Sequence, residues 1–329
     1  MHFLECLQNL FLVENSDVSI YIVTEKIRNA RRNEEMKKLY GVITAMTTPF
    51  TVDGQVDYEA IEQQTEFLIG KGVHCLYPTG TTGEMYLCSA EEREKIAETV
   101  VKKAEGRVTV FIHVGAMTQD ETVRLAKHAQ AIGADGIGVV TPSYFTVDDR
   151  AMVEYYKCIC NSVTEDFPVY AYAIPQLAHN GISCEVLEEV CAACPNMVGI
   201  KYSFADFTQL LKYKKVNNGK FSVVFGADHL FLPALTMGCD GTVSGCSGPF
   251  PEYFVEIYKL FCEGKMEEAR KAQEHANELV WLMKSGADMS IFKNILTMRG
   301  VRGGYMRKPL LDLTPEAIEK LEEQVKSYL

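Results

Sequence analysis

The sequence predicts an α/β protein, a closed (β/α)8 barrel of the TIM type with a C-terminal helical extension. Three observations carry that expectation. From residue 41 onward, short β-branched runs alternate with longer stretches whose apolar residues recur every three to four positions. The short runs are almost continuously apolar, as parallel strands covered on both faces are. Eight such strand–helix units fill roughly 225 residues, which matches the size and order of a closed barrel better than an open doubly wound sheet.

The elements follow in order. "GVITAMTTP" leads into the helical pattern "YEAIEQQTEFLIGKG", "HCLYPTG" into "AEEREKIAETVVKKAEG", "VTVFIHVG" into "DETVRLAKHAQAIGA", and "GIGVVTP" into "DRAMVEYYKCICNSV". The second half repeats the scheme, with "PVYAYAIP" and "SCEVLEEVCAAC", "MVGIKY" and "DFTQLLKYKKVNN", "FSVVFGA" and "DHLFLPALTMGC", then "DGTVSG" and "PEYFVEIYKLFCEG". Several helical patterns start on an acidic residue or a serine, which suits a helix N-terminus. "MEEARKAQEHANELVWLMKSG", "ADMSIFKNILTMRG" and "TPEAIEKLEEQVKSYL" are three further helices, apolar enough to dock on the barrel or on another subunit. The expected organisation is thus a barrel over residues 36–263 and a helical region over 264–329.

Residues 1–35 stand outside this pattern. Arg31-Arg32 is what a purine-rich ribosome-binding sequence gives when translated, and it lies a few codons before Met36, which points to Met36 as the natural start.

The chain has 329 residues, 47% of them hydrophobic, and a formal net charge of -11. That charge argues against a nucleic-acid backbone or an anionic membrane as partner, since both need a positive field. No apolar stretch reaches the roughly 18 residues of a membrane span, and the N-terminus lacks a secretory signal, so the cytoplasm is the expected compartment. Eleven cysteines, an odd number, read as reduced thiols. Cys191-x-x-Cys194 has the spacing of half a zinc site or of a redox pair, but no second such pair accompanies it, and packing at a helix end beside Pro195 explains it as well.

In such a barrel the chemistry sits where the strands end. Lys201 follows "MVGI" and would point into the mouth. Burial disfavours an ammonium ion. An ordinary lysine pKa of about 10.4 must fall by roughly 3.4 units, on the order of 4.6 kcal/mol, for half the amine to be neutral at pH 7. A neutral amine there attacks a carbonyl and forms a Schiff base. "GTTGEMY" after the second strand offers backbone N–H groups and the hydroxyls of Thr81 and Thr82 to a small carboxylate, although turn chemistry without a ligand reads the same way. Tyr172 ends the fifth strand, where it either packs or relays protons.

"GTTGE", "YxxP" and "GIK" in that order, with "MTTPFTVDGQVD", "VTPSYF", the "GADH" turn and "GCDGTVSG", resemble the dihydrodipicolinate synthase and N-acetylneuraminate lyase family of Schiff-base aldolases, from about Met36 to the C-terminus. The resemblance implies a (β/α)8 barrel, a homotetramer arranged as a dimer of dimers, and no metal or organic cofactor. It also implies that Lys201 forms an imine with pyruvate or another 2-oxo acid, and that Tyr172 donates and accepts the proton. Thr81 would link Tyr172 to Tyr144 of a neighbouring subunit, Thr82 would hold the pyruvate carboxylate, and Val243 would line the imine pocket.

Departures fall on the side that takes the second substrate. Leu177 stands where the synthases of this family carry an arginine for a carboxylate, and losing such a partner costs about 2 to 5 kcal/mol. His229 follows Asp228 where the sialic acid lyases have a glutamate, and Gly245 aligns with their serine. The loop "PQLAHNGIS" places His179 and Asn180 near the mouth, as candidate ligands for a hydroxylated substrate. The expectation is a lyase that takes pyruvate and an aldehyde and acts on a 2-keto-3-deoxy sugar acid or a related compound. A dehydratase, a 4-hydroxy-tetrahydrodipicolinate synthase, a non-catalytic 2-oxo acid sensor, and phosphate-sugar chemistry at Gly245–Gly248 are the alternatives.

Overall fold

The computed structural model describes residues 36–329, so the extension at 1–35 and the reading of Arg31-Arg32 lie outside the described residues. Eight parallel strands close in sequence order, with the eighth pairing back onto the first. They are β1 (Gly41–Ala45), β2 (Cys75–Tyr77), β3 (Thr109–His113), β4 (Gly136–Val140), β5 (Val169–Ala173), β6 (Met197–Tyr202), β7 (Ser222–Phe225) and β8 (Gly241–Ser244). Their residues are almost all buried, as strands enclosed between a packed interior and a coat of helices must be.

The coat consists of α1 (Tyr58–Gly70), α2 (Ala90–Ala104), α3 (Gln119–Ala131), α4 (Asp149–Cys160), a single turn α5 (Pro175–Ala178), α6 (Cys184–Ala193), α7 (Phe207–Tyr213), α8 (Phe231–Thr236) and α9 (Pro251–Cys262). Side chains at their starts explain where they begin. Asp57, Thr118, Asp148, Ser183 and Asp206 each accept a backbone N–H of the first turn, and Ser89 forms a reciprocal capping box with Glu92.

Two helical patterns come out shorter than the sequence predicts. The one over 206–218 stops at Tyr213, and Asn217 and Asn218 then adopt left-handed backbone with φ of 51° and 54°. The one over 228–239 divides into a 3-10 turn at Asp228–Leu230 and α8, because Leu230 leaves helical geometry with φ of -121°.

The C-terminal region adds α10 (Met266–Leu282), α11 (Met289–Met298) and α12 (Pro315–Val325). α10 packs on α9 and on the Asp228–Leu230 turn, where Gln273 accepts the Leu232 N–H and donates to the Asp228 carbonyl. α11 sends Lys293 to Glu84 beside the barrel mouth. Residues far along the chain therefore brace two of the loops at the strand ends.

Candidate active site

Register places the chemistry. Tyr172 on β5 pairs with Lys201 on β6, and paired residues of adjacent parallel strands face the same side, so both side chains enter the barrel together. Lys201 is 4% exposed, and its Nζ lies 3.9 Å from the ring centre of Tyr172 and 4.9 Å from that of Tyr77. The Tyr172 hydroxyl lies 3.3 Å from Oγ1 of Thr81.

The turn that carries Thr81 is pinned on several sides. Thr48 Oγ1 donates to the Gly83 carbonyl at 2.8 Å, and Glu84 closes the turn in left-handed backbone with φ of 55°. Thr82 faces the loop after β8: a Cβ built on Gly245 would fall 3.3 Å from its Oγ1. Val243 is buried on β8 in register with Ile43.

Asp228 is buried at the end of β7. Its Oδ2 accepts the Cys246 N–H at 3.2 Å, while Oδ1 has no partner. Burial pushes its carboxyl above the usual range, against the opposing influence of the neighbouring Cys246 and Ser244 and of the Lys201 charge. His229 is half-buried in the same turn.

Other candidates stand apart within the single chain. Tyr144 is 74% exposed, with φ of 74°, and its ring meets Phe145 rather than Tyr172. Leu177 is 57% exposed, and His179 is exposed in left-handed backbone at the end of α5. Leu177 lines a cavity of about 260 Å³ with Thr81, Met85, Leu87, Val140 and Ile174. Asn180, expected at the mouth as a substrate ligand, is instead committed to the loop after β4. It accepts the Val147 N–H and donates to the carbonyls of Pro142 and Phe145. Cys191 donates to the Met197 carbonyl, and Cys194 caps the end of α6.

Two residues at the mouth carry no signal in the sequence reading. Tyr77 and His113 sit in apolar strand runs, where an aromatic or a histidine looks like core. His113 Nδ1 donates to the Thr79 carbonyl at 3.0 Å, and burial, reinforced by the Arg93 and Lys201 charges, holds its imidazole well below the ordinary range and so neutral.

A lysine and a tyrosine meeting inside the mouth of an eight-stranded barrel, next to a pinned threonine turn, define a class of barrel enzymes with an amine at the end of the sixth strand. The chain belongs to the dihydrodipicolinate synthetase family, whose model matches residues 38–328. It is 32% identical to the 4-hydroxy-tetrahydrodipicolinate synthase of Aquifex aeolicus over 288 residues, 88% of this chain and 97% of that protein. It is 33% identical to a protein of Escherichia coli named as a probable 2-dehydro-3-deoxy-D-pentonate aldolase, over 87% of this chain and 96% of that one. The solved structure of the sialic acid aldolase of Ruminococcus gnavus superposes with a TM-score of 0.83 at 30% identity, covering 88% of this chain and 97% of that one. The protein is accordingly an enzyme, a lyase of this family. Among the described residues, no helix is long and apolar enough to cross a membrane.

Proposed function

We propose that the protein is a pyruvate-dependent aldolase that forms a Schiff base on Lys201 and acts on a 2-keto-3-deoxy sugar acid or a related compound. The observation that carries this reading is the buried amine held 3.9 Å above the ring of Tyr172, whose hydroxyl meets Thr81. In the cleavage direction the Lys201 amine adds to the C2 carbonyl, and the oxygen leaves as water. Tyr172 takes the proton of the C4 hydroxyl as the C3–C4 bond breaks, and the aldehyde departs. The electron pair left at C3 is an enamine stabilised by the nitrogen; protonation at C3 and hydrolysis then release pyruvate and free Lys201. Thr82 and the amides of its turn take the carboxylate, and Val243 bounds the imine.

The aldehyde end lies towards Asp228, His229, His179 and Leu177. An unpaired carboxylate oxygen on Asp228 suits a substrate hydroxyl, and Leu177 offers no charge to a second carboxylate, which weighs against a 4-hydroxy-tetrahydrodipicolinate synthase. We further take the enzyme to be cytoplasmic and a homotetramer. Tyr144 and Phe145 project from the chain beside an apolar cavity with Thr81 in its wall, so a second copy can supply the phenol that reaches Thr81.

Borohydride reduction in the presence of pyruvate, followed by peptide mass analysis, should place the adduct on Lys201, and Lys201→Ala should abolish it. An unmodified Lys201 rejects the mechanism. A panel of 2-keto-3-deoxy acids with coupled pyruvate detection then identifies the substrate, and release of pyruvate from none of them rejects the sugar acid class.

A further inference from the structure

Beside Lys201 two buried polar atoms have no hydrogen-bond partner, the hydroxyl of Tyr77 and Nε2 of His113. Both side chains are sealed from solvent, and buried polar groups are otherwise almost always paired, so each orphan costs stability. Burial raises the Tyr77 phenol well above its ordinary range, with the Tyr172 oxygen adding to the shift and Arg93 opposing it, so the hydroxyl keeps its proton. The chain also makes room for this hydroxyl. A Cβ on Gly138 of β4 would fall 1.8 Å from it, so a residue without a side chain lets the phenol cross the interior from β2.

The two orphans belong to one cluster around the amine. Lys201 Nζ lies over the rings of both Tyr77 and Tyr172. The imidazole of His113 meets both rings, perpendicular to Tyr172 at 5.8 Å between centres and tilted to Tyr77 at 6.0 Å. Arg93, itself buried, donates to the His113 carbonyl at 2.9 Å and holds that strand end from outside. If only the bulk of an aromatic ring were needed at position 77, phenylalanine would fill the site without an unpaired oxygen. Places where a chain keeps such a local penalty tend to be functional.

We propose that Tyr77 and His113 are positioning residues for Lys201: the imidazole fixes the two phenol rings, the rings hold the amine towards the mouth, and the Tyr77 hydroxyl is retained for that task. The proposal rests on the imine reading above and adds to it a second side of the amine's cradle, on β2 and β3.

The test compares the parent enzyme with Tyr77→Phe, Tyr77→Leu and His113→Asn. Thermal melting is measured together with borohydride trapping of pyruvate, giving a maximal trapping rate and a half-saturating pyruvate concentration. Tyr77→Phe should melt at the same temperature or higher, yet trap at least tenfold more slowly, with half-saturation moved less than twofold because the carboxylate is held elsewhere. Tyr77→Leu and His113→Asn should be slower still. A parental trapping rate in Tyr77→Phe overturns the proposal. So does a lower melting temperature, which would give the hydroxyl a structural partner, and so does a loss that appears wholly in half-saturation. Should His113→Asn fail to fold, Tyr77→Phe decides alone. Absence of any adduct in the parent enzyme defeats the imine reading and this proposal with it, whereas a trapped parent beside an unaffected Tyr77→Phe defeats this proposal only.

Discussion

Lys293 and Glu84 form the most enclosed ion pair among the described residues, with side chains 1% and 0% exposed and Nζ 2.5 Å from Oε1. The ammonium also donates to the Tyr305 carbonyl at 2.6 Å and lies 4.7 Å from the ring centre of Phe50. Glu84 Oε2 accepts the Arg307 N–H at 3.1 Å. Lys293→Met keeps most of the stem but removes the charge, leaving a buried carboxylate with that one backbone donor. Removing one partner of a buried pair costs about 3–5 kcal/mol, against roughly 0–1 kcal/mol for an exposed pair. At about 2 °C per kcal/mol for a chain of this length, melting should fall by about 6–10 °C. The double variant Lys293→Met/Glu84→Met should recover most of the loss, because apolar side chains then replace a pair whose desolvation had offset its attraction. Melting and urea titration of the four proteins give the coupling energy. A single-variant loss below about 1 kcal/mol, or a double variant that merely sums the two singles, would refute the reasoning. Glu84 also closes the turn that bears Thr81 and Thr82, so pyruvate trapping should slow along with the loss of stability.

Two further outcomes follow from named contacts. Asn180→Ala removes three side-chain hydrogen bonds that tie down residues 142–147, each worth about 1 kcal/mol. The loss should appear as faster amide exchange at Ser143–Val147 and reduced turnover, with melting lower by up to about 6 °C, and unchanged exchange there would dismiss the role. His113 and His74 are both held below the ordinary imidazole range, first by burial and for His113 also by the Arg93 and Lys201 charges. The unfolded chain therefore takes up these protons first. Stability should be full above about pH 6.5 and fall below it by up to ~1.4 kcal/mol per pH unit and group, until the folded imidazoles protonate. His113→Gln should roughly halve that slope in urea titrations between about pH 5 and 7, and an unaltered slope contradicts the assignment.

How much of this was legible depended on the range of the interactions. Continuous apolar runs and helical periods are local, and the eight strand–helix units they predict are the ones that close the barrel. Lys201, Tyr172 and Thr81 lie at or just after the ends of apolar runs, which is a local signal; register pairs Tyr172 with Lys201, and the Tyr172 hydroxyl meets Thr81. The helix over 206–218 was overrun because two asparagines can adopt left-handed backbone, which periodicity does not report. Asn180 stands near the mouth, but the hydrogen bonds that engage its side chain run to a loop more than thirty positions away, which a polar residue in sequence does not report. Lys293 and Glu84 are 209 positions apart, and neither sits in a segment that names the other. Tyr77 and His113 were hidden by their surroundings, since their meeting depends on three adjacent strands and on the missing side chain at Gly138.

The uneven legibility of the two halves of the site has a chemical basis. Forming and breaking an imine needs an amine, a proton carrier and a carboxylate cradle at fixed separations, so the residue types and their strand positions are constrained together. The aldehyde end needs only to complement one molecule better than another, and many combinations of side chains achieve that difference. On the proposed reading that end is furnished by α5 and by the turn at Asp228–Leu230, and the exposure of Leu177 and His179 leaves those side chains free to vary without loss of the core. The buried amine is thus the part of the site that sequence can specify, and the loops around Leu177 and His229 are the part that substrate turnover has to identify.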